Sequence, residues 1–120
     1  MRRLALFLSV LLLLGACNDV SYVERVFLVN PTDYNLLVDV RGADGTSWLS
    51  LGIARRNVES VNQDVIDLGD TWVFRFSYAG EELGEDRISR SDLVRNRWRY
   101  EIPERVGEIP KEKGYAPSIG

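Results

Sequence analysis

Between Thr71 and Tyr78 the chain alternates without a break. Trp72, Phe74, Phe76 and Tyr78 fall on one side, and Val73, Arg75 and Ser77 fall on the other. Successive side chains of a β-strand point to opposite faces, so this period of two argues for a strand and against a helix. Each large aromatic side chain carries roughly 150–250 Å² of surface to bury. A strand that puts such residues on one face needs a second layer to cover them.

The same period recurs along the chain. Val23 to Val29 reads as a first strand. Asn30-Pro31-Thr32-Asp33 supplies turn chemistry, since Pro fixes φ while Asn and Asp bond their own backbone. Tyr34, Leu36, Val38 and Val40 then alternate with Asn35, Leu37, Asp39 and Arg41. Ala43-Asp44-Gly45 predicts a second turn, and Ser47 to Ile53 a third strand carrying Trp48. Residues 55–62 fit a strand, a loop or a helix, because Val58 and Val61 are three apart. Val65 to Leu68 reads as a short strand closed by Gly69-Asp70.

After the aromatic strand, Ala79 to Asp86 reads as a polar turn and Arg87 to Arg90 as a short strand. Ser91 to Arg95 predicts one helical turn with Ser91 as its cap. Trp98, Tyr100 and Ile102 alternate with Arg97, Arg99 and Glu101 as a last strand. Pro103 suits the opening of a short helix, with Val106 and Ile109 facing the body and Pro110 ending it. Lys111 to Gly120 is expected to be a loose, flexible tail. About six to seven short strands, with turn signals every 8–12 residues or so, predict an all-β fold. The expected form is a small antiparallel β-sandwich over residues 22–110. The run VFLVNPTDYNLLVDV (Val26 to Val40) resembles the first hairpin of Ig-like and transthyretin-like envelope domains. That resemblance implies an Ig-like or transthyretin-like sandwich, and it carries over no functional residues.

The N-terminus has a different character. Arg2 and Arg3 precede an apolar run of eleven residues, Leu4 to Leu14, broken only by Ser9. Spanning a hydrocarbon core takes about 20 residues, so the run is too short for that and fits the apolar region of a secretory signal. Leu14-Gly15-Ala16-Cys17 follows. An aliphatic residue, two small residues and a Cys in that order resemble the lipobox of bacterial lipoproteins. The resemblance implies a diacylglyceryl group on the Cys17 thiol and cutting by signal peptidase II between Ala16 and Cys17. Gly15 and Ala16 leave the scissile peptide unobstructed. Two or three acyl chains, at about 0.8 kcal/mol per buried CH₂, hold a protein at a membrane as one chain does not. The implied organisation is a signal over 1–16, a lipidated Cys with a very short tether over 17–21, the sandwich, and the tail over 111–120. The implied location is the cell membrane or outer membrane, with the domain on the extracytoplasmic side. Asn18 lacks the Asp that retains enteric lipoproteins at the inner membrane, though Asp19 follows it.

Composition narrows the chemistry. The chain has no His, which excludes His general bases, Ser-His-Asp triads and His metal sites. Its one Cys leaves no internal disulfide. Removing Arg2 and Arg3 with the signal leaves 13 basic against 18 acidic residues, a net charge of −5. Bulk charge therefore does not draw this domain to anionic lipid.

Three constellations remain. Asp64, Asp67 and Asp70, spaced by three, could hold Ca²⁺ but match no EF-hand, and a solvated turn is the plainer role. No metal or other cofactor is expected. Trp48, Trp72 and Trp98 could form a sugar platform, but each stands at a core-compatible phase of its strand. Arg87, Arg90, Arg95, Arg97 and Arg99 make one stretch locally +4, with Asp92 the sole acid. Arg forks suit phosphate and carboxylate, so this stretch is a candidate patch for an anionic ligand. The plainer role is the solvated side of a strand, neutralised by Glu81, Glu82, Glu85 and Asp86. Nucleic acid is not an expected partner for an exported domain.

The expected function is a non-catalytic binding or structural module for an envelope protein partner. An inhibitor or ligand-binding lipoprotein is an alternative. A carboxylate-dependent glycan hydrolase is a further one.

Overall fold

A computed structural model describes residues 21–119. The lipobox residues Leu14 to Cys17 lie outside that range. Seven strands and two short helices follow one another: β1 (Tyr22–Val29), β2 (Leu36–Gly42), β3 (Leu49–Ala54), β4 (Glu59–Ile66), β5 (Thr71–Tyr78), β6 (Glu81–Ser89), α1 (Arg90–Arg95), β7 (Arg99–Glu101) and α2 (Arg105–Glu112). They form two sheets of order β4-β1-β7 and β3-β2-β5-β6. The fold is the small all-β sandwich that the alternation predicts.

The core lies between the sheets. Leu36, Val38, Val40, Trp72, Phe74 and Phe76 come from the four-stranded sheet. Val23, Val26, Leu28, Val65 and Tyr100 meet them from the three-stranded sheet. Phe74 and Tyr100 stack across the interface with centroids 3.9 Å apart and planes 2° from parallel. Helix α1 buries Leu93 at the end where β1 begins, and α2 buries Val106 at the other end.

Four local readings change. The expected turn at Ala79 to Asp86 is mostly strand: β6 starts at Glu81, and only Ala79-Gly80 turns. An edge strand with one face to water buries little, and Leu83 is its one fully covered apolar residue. The helical turn is capped by Ser89, whose Oγ accepts from the Asp92 N–H at 3.1 Å, and not by Ser91. Pro110 lies inside α2 and does not end it. Its ring forgoes one helical hydrogen bond, and the helix closes a turn later through Lys113 N–H to the Ile109 carbonyl. The segment expected to be a loose tail is docked. The Tyr34 hydroxyl donates to the Tyr115 carbonyl at 2.7 Å, and the Ser118 N–H donates to the Asp33 carbonyl at 2.9 Å.

The strands pair antiparallel with one exception, β7 beside β1. Helix α1 carries the chain across to the other sheet at the end where β1 begins, so β7 must run the same way as β1. The β1–β4 ladder contains a shared kink. Inward residues change phase between Val23 and Val26 on β1 and between Asn62 and Val65 on β4, while the register is kept. Asp64 takes a left-handed φ of 53° at that point. Residues 55–62 show no apolar period for a different reason: 55–58 precede β4, and the inward positions Ser60 and Asn62 are polar while Val61 faces out.

The β5–β6 hairpin turns on Ala79 (φ 50°) and Gly80 (φ 78°), so both central residues are left-handed. Such turns favour Asn-Gly, because a Cβ at a left-handed position costs about 1 kcal/mol, which Gly avoids and which Asn offsets through local hydrogen bonding of its short polar side chain. Ala79→Asn is expected to stabilise the domain by about 0.5–1 kcal/mol, read as a rise in thermal midpoint. No rise, or a fall, contradicts this assignment of the turn.

Candidate functional site

The five arginines of the candidate patch do not form one surface. Arg87 stands on β6 opposite Val73, on the outer face of its sheet. Arg95 is exposed on α1 and pairs with Asp92 at 3.0 Å. Arg99, on β7, faces Glu59 at 3.4 Å. Arg90 meets Asp67 at 2.9 Å, and its guanidinium lies over the Trp98 ring, 5.2 Å from the centroid. Arg97 has no ion pair among the described residues. The expected neutralisers on β6 are spent elsewhere. Glu81 meets Lys113, Glu82 is nearest Arg75, and Asp86 faces Tyr100 and Arg105.

Arg90, Arg97 and Trp98 converge on a cleft of about 440 Å³ against the start of β1. Tyr22, Arg25 and Phe27 form its other wall. The Phe27 N–H donates to the Trp98 carbonyl at 2.8 Å, which sets Trp98 beside β1, and Arg25 and Arg97 line the same cleft. A run of contacts fixes where the cleft sits. The Asp67 N–H donates to the Ser21 carbonyl at 2.9 Å, Asp67 holds Arg90, and Arg90 covers Trp98. The cleft therefore lies where the chain enters the domain. The Arg90 guanidinium holds the Asp67 carboxyl below the usual carboxylate range.

Arg97 and Trp98 carry consecutive left-handed φ values of 58° and 62°. Trp98 repays its strain inside, packing on Trp72 at 5.3 Å between centroids. Arg97 packs on no such partner and points its charge outward.

A second cleft, of about 500 Å³, opens between β6 and β7. Asp86, Asn96, Arg99, Tyr100 and Glu101 line it. The Tyr100 hydroxyl donates to Asp86 Oδ2 at 2.6 Å. Burial, and then the bond to Asp86, push the Tyr100 phenol up, so it stays protonated and keeps donating. Asp86 is thus already held by Tyr100, with Arg105 at 3.9 Å from its other oxygen.

The three Trp residues do not make a platform. Trp72 is in the core, and Trp98 packs on it from α1's exit. Trp48 lies on the outer face of the four-stranded sheet, between Arg75 at 4.0 Å and Arg41 at 4.9 Å from its ring centroid. Its core-compatible phase misleads because β3 begins only at Leu49. Asp64, Asp67 and Asp70 do not gather: among the described residues no three acidic or Cys side chains come together.

The chain matches no protein-family model, no curated protein and no solved structure.

Sequence reasoning missed Tyr22 and Arg25 as neighbours of the arginine stretch. Pairing between residues so far apart leaves no local mark. Arg97 and Trp98, expected in the last strand, precede it with left-handed φ values, and β7 spans only Arg99–Glu101.

Proposed function

We propose that this protein is a membrane-anchored envelope lipoprotein whose β-sandwich is a non-catalytic binding or structural module for an envelope protein partner. The observation that carries the reading is Leu14-Gly15-Ala16-Cys17 at the end of a charged-then-apolar segment. Strand β1 starts at Tyr22, leaving only residues 18–21 as tether. Four residues reach about 15 Å at most, which keeps the domain beside the bilayer.

Two features favour binding over catalysis. The chain has no His, and Asp86 is already bonded to Tyr100. The edge strands β3 and β4 expose Leu49, Ile53 and Val61, with Val58 between them, which suits a protein partner better than a bare solvent face.

Growth with a fatty-acid label tests the anchor. The wild type should take up label. Cys17→Ser should lose it and persist as the uncleaved precursor. Equal labelling of the two would overturn the proposal.

A further inference from the structure

We infer that the cleft between Trp98 and the start of β1 is a site for the phosphodiester headgroup of a bilayer phospholipid, gripped by Arg25 and Arg97. The inference rests on the anchoring proposed above and names what the anchored face meets. Two observations carry it.

The first is position. Ser21, Asp67, Arg90 and Trp98 are joined by successive contacts, so the cleft adjoins the point where the chain leaves the domain toward Cys17. With four tether residues, Ser21 at the cleft's entry lies within about 15 Å of the acylated Cys.

The second is chemistry. Arg25 and Arg97 are both exposed and have no ion pair among the described residues. Asp67 takes the charge of Arg90, which leaves Glu24 as the acid on the cleft wall. Two guanidinium forks facing one acid can grip a singly charged phosphodiester. Tyr22, 63% exposed, adds an aromatic ring to the cleft wall. An aromatic ring beside cations at a membrane-proximal pole is the composition that suits a lipid interface.

The test uses the mature lipidated chain in dodecyl maltoside, with Arg Nε–H and Trp indole N–H signals followed by NMR. Dihexanoyl phosphatidylglycerol is titrated in, and inorganic phosphate and dihexanoylglycerol are titrated separately. Arg25, Arg97 and Trp98 should shift saturably with the phospholipid alone. Arg97→Gln removes a charge-assisted contact and should weaken binding about tenfold. Arg55→Gln should leave it unchanged, because Arg55 follows β3 at the opposite end, beside the Asn30 turn. Failure to saturate, indifference to Arg97→Gln, or equal binding of phosphate or of dihexanoylglycerol would overturn the inference. The mass of the same preparation separates the two claims. A lipidated chain that does not bind defeats the cleft assignment and leaves the anchor. A chain that binds without fatty acid on Cys17 defeats the anchor and leaves the cleft assignment.

Discussion

Asn30→Ala is expected to cost about 3–4 kcal/mol of folding stability, lowering the thermal midpoint by roughly 15 °C. Asn30 is 1% exposed and uses its whole amide. Nδ2 donates to the Tyr34 carbonyl at 2.7 Å and the Ala54 carbonyl at 2.9 Å. Oδ1 accepts from the Thr32 N–H at 3.0 Å and the Thr32 hydroxyl at 2.7 Å. One side chain therefore ties the end of β1 to the start of β2 and the end of β3. Ala would take the Asn30 partner from the Ala54 carbonyl and the Thr32 N–H and leave the Tyr34 carbonyl only the Thr32 hydroxyl at 3.2 Å, and each buried group left unpaired costs about 1–3 kcal/mol. The turn also seats α2. A Cβ on Gly107 would meet the Thr32 Cβ at 2.8 Å, so helix and turn are in direct backbone-to-side-chain contact. Losing the turn should therefore loosen α2 and the docked Tyr115 to Ser118 segment with it. Urea unfolding of the two proteins checks this, and a loss under about 1 kcal/mol would show that the network is not what holds this end together.

Phe74→Ala should cost a similar amount, about 3–5 kcal/mol. Phe74 is fully buried at the centre of the four-stranded sheet. Its ring lies flat on Tyr100 of the other sheet at 3.9 Å, with Trp72 at 6.4 Å on its own strand. The substitution removes a large part of the apolar surface joining the two layers and leaves a cavity that rigid strands on both sides cannot close. The aromatic pair itself contributes about 0.5–1.5 kcal/mol within that total. Denaturant unfolding, with near-ultraviolet circular dichroism to report aromatic packing, measures it. A cost below about 1.5 kcal/mol would mean that the sheets are held mainly elsewhere.

These two sites differ in how far the sequence reveals them. Phe74 is legible from its own strand, because Thr71 to Tyr78 alternates between a buried face and an outward one, and the structure keeps those bounds unchanged. Asn30 is legible as a turn residue but not as a node, since its bond to Ala54 spans 24 residues. Strand β4 was hidden by its polar inward positions Ser60 and Asn62, and β6 by its single buried apolar side chain. The arginine stretch is the clearest case of linear order misleading. Its members pair with Glu59 on β4 and with Asp67 just after it, and sheet geometry sends Arg87 to one face and Arg97 to another place altogether. Periodicity reports which face a residue takes. It does not report which distant charge waits there.

The anchor remains the claim on which the functional account turns. Mass spectrometry of the protein extracted from membranes tests it most directly, through the peptide at its N-terminus. The account predicts a peptide that begins at Cys17 and carries a diacylglyceryl group. A peptide that begins upstream of Cys17, or one that begins at Cys17 with a free thiol, would contradict it.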